Sequence, residues 1–149
     1  MENGKQPEAQ VVQLRTQLVR EGHTRHLLAE TNMMTLRIHC YAPGIGENAL
    51  HSHTKEDHIF LVLEGTAEFN TGRDGKTVLQ ASKHQAIILP AGCYYQFRNS
   101  SDTPLVMTRV GAGPDKQDQR LNPDGSPIPG RTHEQGAAKP VFIEGAFFE

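Results

Sequence analysis

Hydrophobic and polar residues alternate over much of the chain with the period of a strand. In residues 33–41, Met34, Leu36, Ile38 and Cys40 alternate with Thr35, Arg37, His39 and Tyr41, the pattern of a half-buried strand. Ala42-Pro-Gly-Ile-Gly46 ends it. A continuous apolar run at 59–63 is closed by Glu64-Gly65, residues 66–69 restart, and Gly72-Arg-Asp-Gly75 turns the chain again. Residues 86–89 stop at Pro90-Ala-Gly92, 93–97 resume, Asn99-Ser-Ser-Asp102 turns, and 104–110 run on. Turn residues thus recur about every eight to twelve positions, which predicts a nearly all-β domain. Only residues 11–19 invite a helix: Val11, Leu14, Leu18 and Val19 fit a 3.6 spacing, yet Val12, Leu14 and Leu18 also suit a strand. Both readings stand.

With 149 residues the chain is expected to form one domain (1–149), with a polar N-terminal arm at 1–10, a core over about 33–110 and a tail at 111–149. The tail carries six Gly and five Pro, but residues 140–143 and 146–148 are too apolar to float, so they are expected to dock on a neighbouring subunit or an open sheet edge. Fifteen Lys and Arg against 17 Asp and Glu give a net charge of −2, no field for holding nucleic acid or an anionic membrane. No run approaches about 18 apolar residues and the first ten residues lack a secretory layout, so a cytoplasmic location is expected. Cys40 and Cys93 form no C-x-x-C pair and read as buried thiols, Cys40 on the apolar face.

Three of the eight histidines crowd into residues 46–65. On a strand, His51 and His53 point to one face and Ser52 to the other. A four-residue hairpin loop at 54–57 would set His53 across from His58 at about 5 Å between Cβ atoms. The three imidazoles would then present a facial set of nitrogens to a divalent transition metal, with positions left open for a ligand. His58 begins an apolar strand and shares its face with Phe60 and Val62, which sets it apart from a solvated, His-rich loop. Asp57 is the alternative third ligand and would make a two-His, one-carboxylate set, but parity puts it in the turn. Glu56 reads as ordinary turn chemistry.

The same residues resemble the cupin superfamily. Its first motif, G-x5-H-x-H-x3 or x4-E-x6-G, is matched by Gly46 (one residue off in spacing), His51, His53, His58 in the Glu position and Gly65. Its second, G-x5-P-x-G-x2-H-x3-N, is matched by His84 in the Gly position, Pro90, Gly92, Tyr95 in the His position and Asn99. The resemblance spans about residues 33–110 and implies a double-stranded β-helix, a jelly-roll barrel with one open mouth. It also implies a metal in that mouth, Fe(II) first, with Zn, Ni or Mn as alternatives. The implied activity is that of a metal-dependent enzyme, an oxygenase first and a lyase or isomerase next, with a non-catalytic metabolite-binding or storage protein as the other class. Cupins of this size commonly dimerise, so a homodimer is expected.

Replacing the family's Glu by His58 leaves three neutral imidazoles and the full charge of a divalent ion, which would attract an anionic or chelating small molecule. Tyr95 shares a face with Cys93 and Phe97, while Tyr94 points the other way; Tyr95 is therefore the candidate for either a metal ligand, once the ion draws off its proton, or a second-sphere acid or base. Phe60, Val62 and Phe97 are expected to line the pocket, with Ile88, Met107 and Met34 also inside. Arg37, His39 and Arg109 could hold a carboxylate, but their alternation suits the solvated outer face and they are read as surface. His84 is placed in a turn, and His23, His26 and His133 have no spacing partner.

Overall fold

The structure, a computed structural model, describes residues 6–113, 118–129 and 139–149. Among these there is no helix; the chain runs β1 (Thr16–Glu21), β2 (His23–Glu30), β3 (Met34–Tyr41), β4 (Gly46–His53), β5 (Asp57–Glu64), β6 (Thr66–Thr71), β7 (Thr77–Ser82), β8 (Ala86–Leu89), β9 (Tyr95–Asn99), β10 (Leu105–Ala112), β11 (Arg120–Leu121) and β12 (Val141–Phe148). Two five-stranded antiparallel sheets, ordered β2-β3-β10-β5-β8 and β11-β4-β9-β6-β7, face one another, and β1 pairs with β12 in a separate ribbon. Among the described residues no helix is long and apolar enough to cross a membrane.

The strand period sorts the side chains. On β5, His58, Phe60 and Val62 are buried while Ile59 and Leu61 are exposed. Phe60 and Val62 meet Phe69, Phe97, Leu105 and Met107 between the sheets, as expected for Phe60, Val62, Phe97 and Met107. Aromatic rings dominate this interior, with Phe60 and Phe97 at 5.2 Å and Tyr41 edge-on to Phe97 at 5.1 Å.

A second apolar layer lies on the outer face of the first sheet, where Ile38, Cys40 and Val106 are covered by Val19 of β1 and Phe148 of β12. This settles the ambiguous segment: from Thr16 it is a strand, paired not with its neighbours but with the chain's own tail. The tail's apolar residues dock there, within the same chain. It also explains why Ile38, His39, Cys40 and Tyr41 are all buried, since β3 is covered on both faces.

Several expectations are corrected. Ile88 is 66% exposed, because Ile87 and Leu89 take the inward positions opposite Phe60 and His58. Met34 is on the outward face near the end of β3 and is 48% exposed. Arg37, His39 and Arg109 belong to the inward face: His39 is buried against Phe60, and Arg109 reaches His58. Most consequentially, β4 and β5 form no hairpin. Residues 54–56 carry the chain from one sheet to the other, so His53 and His58 meet across the sandwich instead of along a ladder. His133 lies outside the described residues.

Candidate functional site

Two facing sheets bring four rings together at one end of the interior. His51 is in register with Tyr95 of β9, and their ring centroids are 4.5 Å apart. His53 ends β4, 5.1 Å from His51, and the ring of His58, entering from β5, approaches His53 to 4.0 Å. All four side chains are almost fully buried. The Tyr95 hydroxyl stands between them, 3.1 Å from His58 Nδ1 and 3.4 Å from His53 Nε2.

Each imidazole has its other nitrogen beside an acceptor. His51 Nδ1 donates to the Ala49 carbonyl at 2.7 Å and His53 Nδ1 to Asp118 Oδ2 at 2.5 Å. His58 Nε2 lies 3.1 Å from Glu56 Oε1. With the proton of each ring on that outer nitrogen, His51 Nε2, His53 Nε2 and His58 Nδ1 keep their lone pairs. Arg109 competes for the last ring: its Nη2 is 2.7 Å from His58 Nε2 and would donate to it in the opposite tautomer. Among the described residues no trio of His, Cys, Asp or Glu is drawn tightly enough to hold an ion without some movement. The inner nitrogens of His53 and His58 close on the Tyr95 hydroxyl instead.

Burial, then the neighbouring His58, lowers the pKa of His53 to about 4 against the pull of Asp118, and burial also lowers that of His58. Burial raises that of Tyr95 well above the usual phenol value. The hydrogen bond to His58 lowers that of Glu56. Glu47, at the start of β4, would be raised by burial, but Arg25, His51 and Arg109 turn its shift downward. At neutral pH His53 and His58 are therefore neutral, Tyr95 keeps its proton, and Glu56 and Glu47 are ionised.

The sequence located His51, His53, His58 and Tyr95 and separated Tyr95 from Tyr94, whose hydroxyl donates outward to the Asn122 carbonyl. Asp57 does not join them: it is exposed and accepts from the Ala91 N–H at 2.8 Å. Glu56, read as a turn residue, does join them, and so does Arg109. Asp118 was missed altogether. Its Oδ1 accepts the Lys55 and Glu56 N–H groups, so one carboxylate both fixes the crossover loop and orients His53.

A family model described as cupin domain matches residues 37–111, half of the chain. The chain belongs to the cupin family. Cupins often bind a metal. No curated protein sequence matches this cupin. Among solved structures, a protein with a double-stranded β-helix domain from Klebsiella pneumoniae is similar, at 23% identity and TM-score 0.57, covering 65% of this chain and 82% of that one. KdgF from Halomonas sp. is 19% identical with TM-score 0.54, covering 61% and 79%. An oxalate oxidase in complex with the substrate analogue glycolate is 17% identical with TM-score 0.53, covering 66% of this chain and 54% of that one. These likenesses establish the fold, a double-stranded β-helix.

Proposed function

We propose that this cupin is a metal-dependent enzyme acting on a small anionic or chelating organic molecule, first as a non-haem oxygenase. The observation that carries the reading is the outer acceptor on every ring of the cluster. Ala49, Asp118 and Glu56 can each fix a tautomer that leaves an inward lone pair, the arrangement found around metal-ligating histidines. The donor set fits a divalent transition metal in kind, with His51, His53 and His58 holding it and Fe(II) ahead of Zn, Ni or Mn. The ion would supply Lewis acidity or redox chemistry to a bound substrate. The oxalate oxidase neighbour supports putting oxidation first.

Around such a centre the chain's own groups have distinct tasks. Tyr95, kept protonated by burial, can donate its hydroxyl hydrogen to a substrate oxygen. Phe60, Val62 and Phe97 exclude water from beneath the rings. Lyase or isomerase chemistry would use the same Tyr95 proton. A homodimer belongs to the reading as well, and light scattering checks it.

Elemental analysis of untagged protein purified without chelator tests the proposal: about one metal ion per chain is expected, lost in His51→Ala and His58→Ala and kept in Asp57→Ala. Iron would favour oxygen chemistry, and zinc or nickel the lyase or isomerase. A metal-free protein would overturn the proposal in favour of a non-catalytic metabolite-binding cupin, the reading favoured by the position of the Tyr95 hydroxyl among the inner nitrogens.

A further inference from the structure

Beside the histidine cluster, the inward face of the first sheet carries a polar strip of which Arg109 alone touches a histidine of the proposed metal centre. Arg25 on β2 is in register with His39 on β3, and Arg37 on β3 lies directly across from Arg109 on β10. The three arginines are half-buried, whereas His39 is 2% exposed. Arg25 also forms an ion pair at 3.4 Å with Glu47 of the facing sheet.

Arg25 Nε donates to Tyr41 Oη at 3.3 Å, which leaves the Tyr41 hydroxyl its own proton to give to His39 Nδ1 at 3.0 Å. Tyr41 stays protonated because burial pushes its pKa up. Burial, then the charges of Arg25, Arg109 and Arg37, hold His39 neutral. In that arrangement the single ring proton of His39 is on Nε2, and that buried atom has no hydrogen-bond partner among the described residues. A buried donor left unmatched costs about 1–3 kcal/mol. An anion would relieve it.

We propose that His39 Nε2–H, with Arg25, Arg37 and Arg109 around it, is the subsite for a carboxylate of the substrate. This deepens the functional reading above and rests on it for what happens at the substrate's other end. Arg109 joins the two regions: it is two residues along β10 from Gly111, the partner of His58, and two from Met107, the partner of His39. The substrate class is accordingly a small carboxylic acid whose metal-binding group lies a few bonds from the carboxylate. The guanidinium forks can meet a carboxylate bidentately.

Calorimetric titration of the full chain with succinate, with and without EDTA, tests this alongside metal analysis of the same samples. Saturable binding is expected in both conditions. It should weaken about tenfold or more in His39→Phe and in Arg109→Gln, and survive in large part in His39→Gln, which keeps an N–H donor. Urea unfolding would establish that each variant is folded. Wild-type affinity in folded His39→Phe, equal binding of neutral succinamide, or tighter binding of inorganic phosphate would each overturn the subsite. Loss of succinate binding in His39→Phe with metal content unchanged supports the subsite by itself. Succinate binding by a protein that never takes up metal would sink the metal reading and leave the subsite standing.

Discussion

Buried imidazoles at this spacing cannot all be charged, and the site resolves the conflict by keeping His53 and His58 neutral while placing Asp118 and Glu56 at their outer nitrogens. Neutral rings are the form a metal ion requires. On this argument Glu56→Gln and Asp118→Asn should lower metal affinity about 10- to 100-fold while leaving the fold intact, as isothermal titration with the ion would show. Unchanged affinity in Glu56→Gln would mean that Arg109, not Glu56, governs the His58 tautomer. The conformation of His84 leads to a stability prediction. It occupies the glycine position of the second cupin motif and adopts a left-handed backbone, with φ of 73°. That conformation costs a side-chain-bearing residue about 1–2 kcal/mol, part of which glycine loses again through its freer unfolded chain. His84→Gly should therefore stabilise the protein by about 0.5–1 kcal/mol in urea unfolding. Residue roles were legible where periodicity fixes direction: His51, His53, His58 and Tyr95 all lie on strands. Glu56 sits in a loop whose side-chain direction no period encodes, and Asp118 reaches His53 from 65 residues away.

Among the elements, the β1–β12 ribbon was the least readable, because its two strands come from opposite ends of the described chain and Gly145 and a bulged register break the alternation. Its task is to cover Ile38, Cys40 and Val106. Val19→Ala should cost about 1–3 kcal/mol through lost burial and the cavity left behind. Ending the chain after residue 138 should strip the cover: Cys40, buried and with its thiol pKa raised by that burial, should then react with a thiol reagent in the folded protein. In the full chain only the half-buried Cys93 should react. Slow reaction of Cys40 in the shortened protein would mean that β1 covers the sheet without β12. The β4–β5 crossover shows a different limit. Alternation placed His51, His53 and His58 on inward faces, but it carries no information on whether a short connection pairs two strands or passes between sheets. Here Asp118 holds the connecting loop by accepting from the Lys55 and Glu56 N–H groups.

At the scale of the whole molecule, the interior is divided between an aromatic end around Phe60, Phe69 and Phe97 and a polar flank on β2, β3 and β10. The fold was readable from alternation and turns, while the polar flank was not, because Arg37, His39 and Arg109 have the composition of a solvated face. Only the burial of the opposite face of β3 by the ribbon, a tertiary fact, reveals that they point inward. Burying His39 ties stability to pH. Its folded pKa lies well below the ordinary value of 6.5, driven by burial and then by Arg25, Arg109 and Arg37. In the unfolded chain it takes up a proton near pH 6.5, whereas in the folded chain it does not. The unfolded state thus binds more protons in acid, and stability falls as pH drops below about 6.5. Above that pH the contribution is complete. Urea unfolding at pH 7.5 and 5.5 should show the loss in the wild type and a smaller loss in His39→Gln, which has no ring to protonate. Equal losses in the two proteins would mean that His39 is not held neutral inside the sandwich. Succinate added at pH 5.5 should recover part of the lost stability in the wild type and less at the same concentration in His39→Phe, because a ligand that binds only the folded chain opposes its unfolding by mass action.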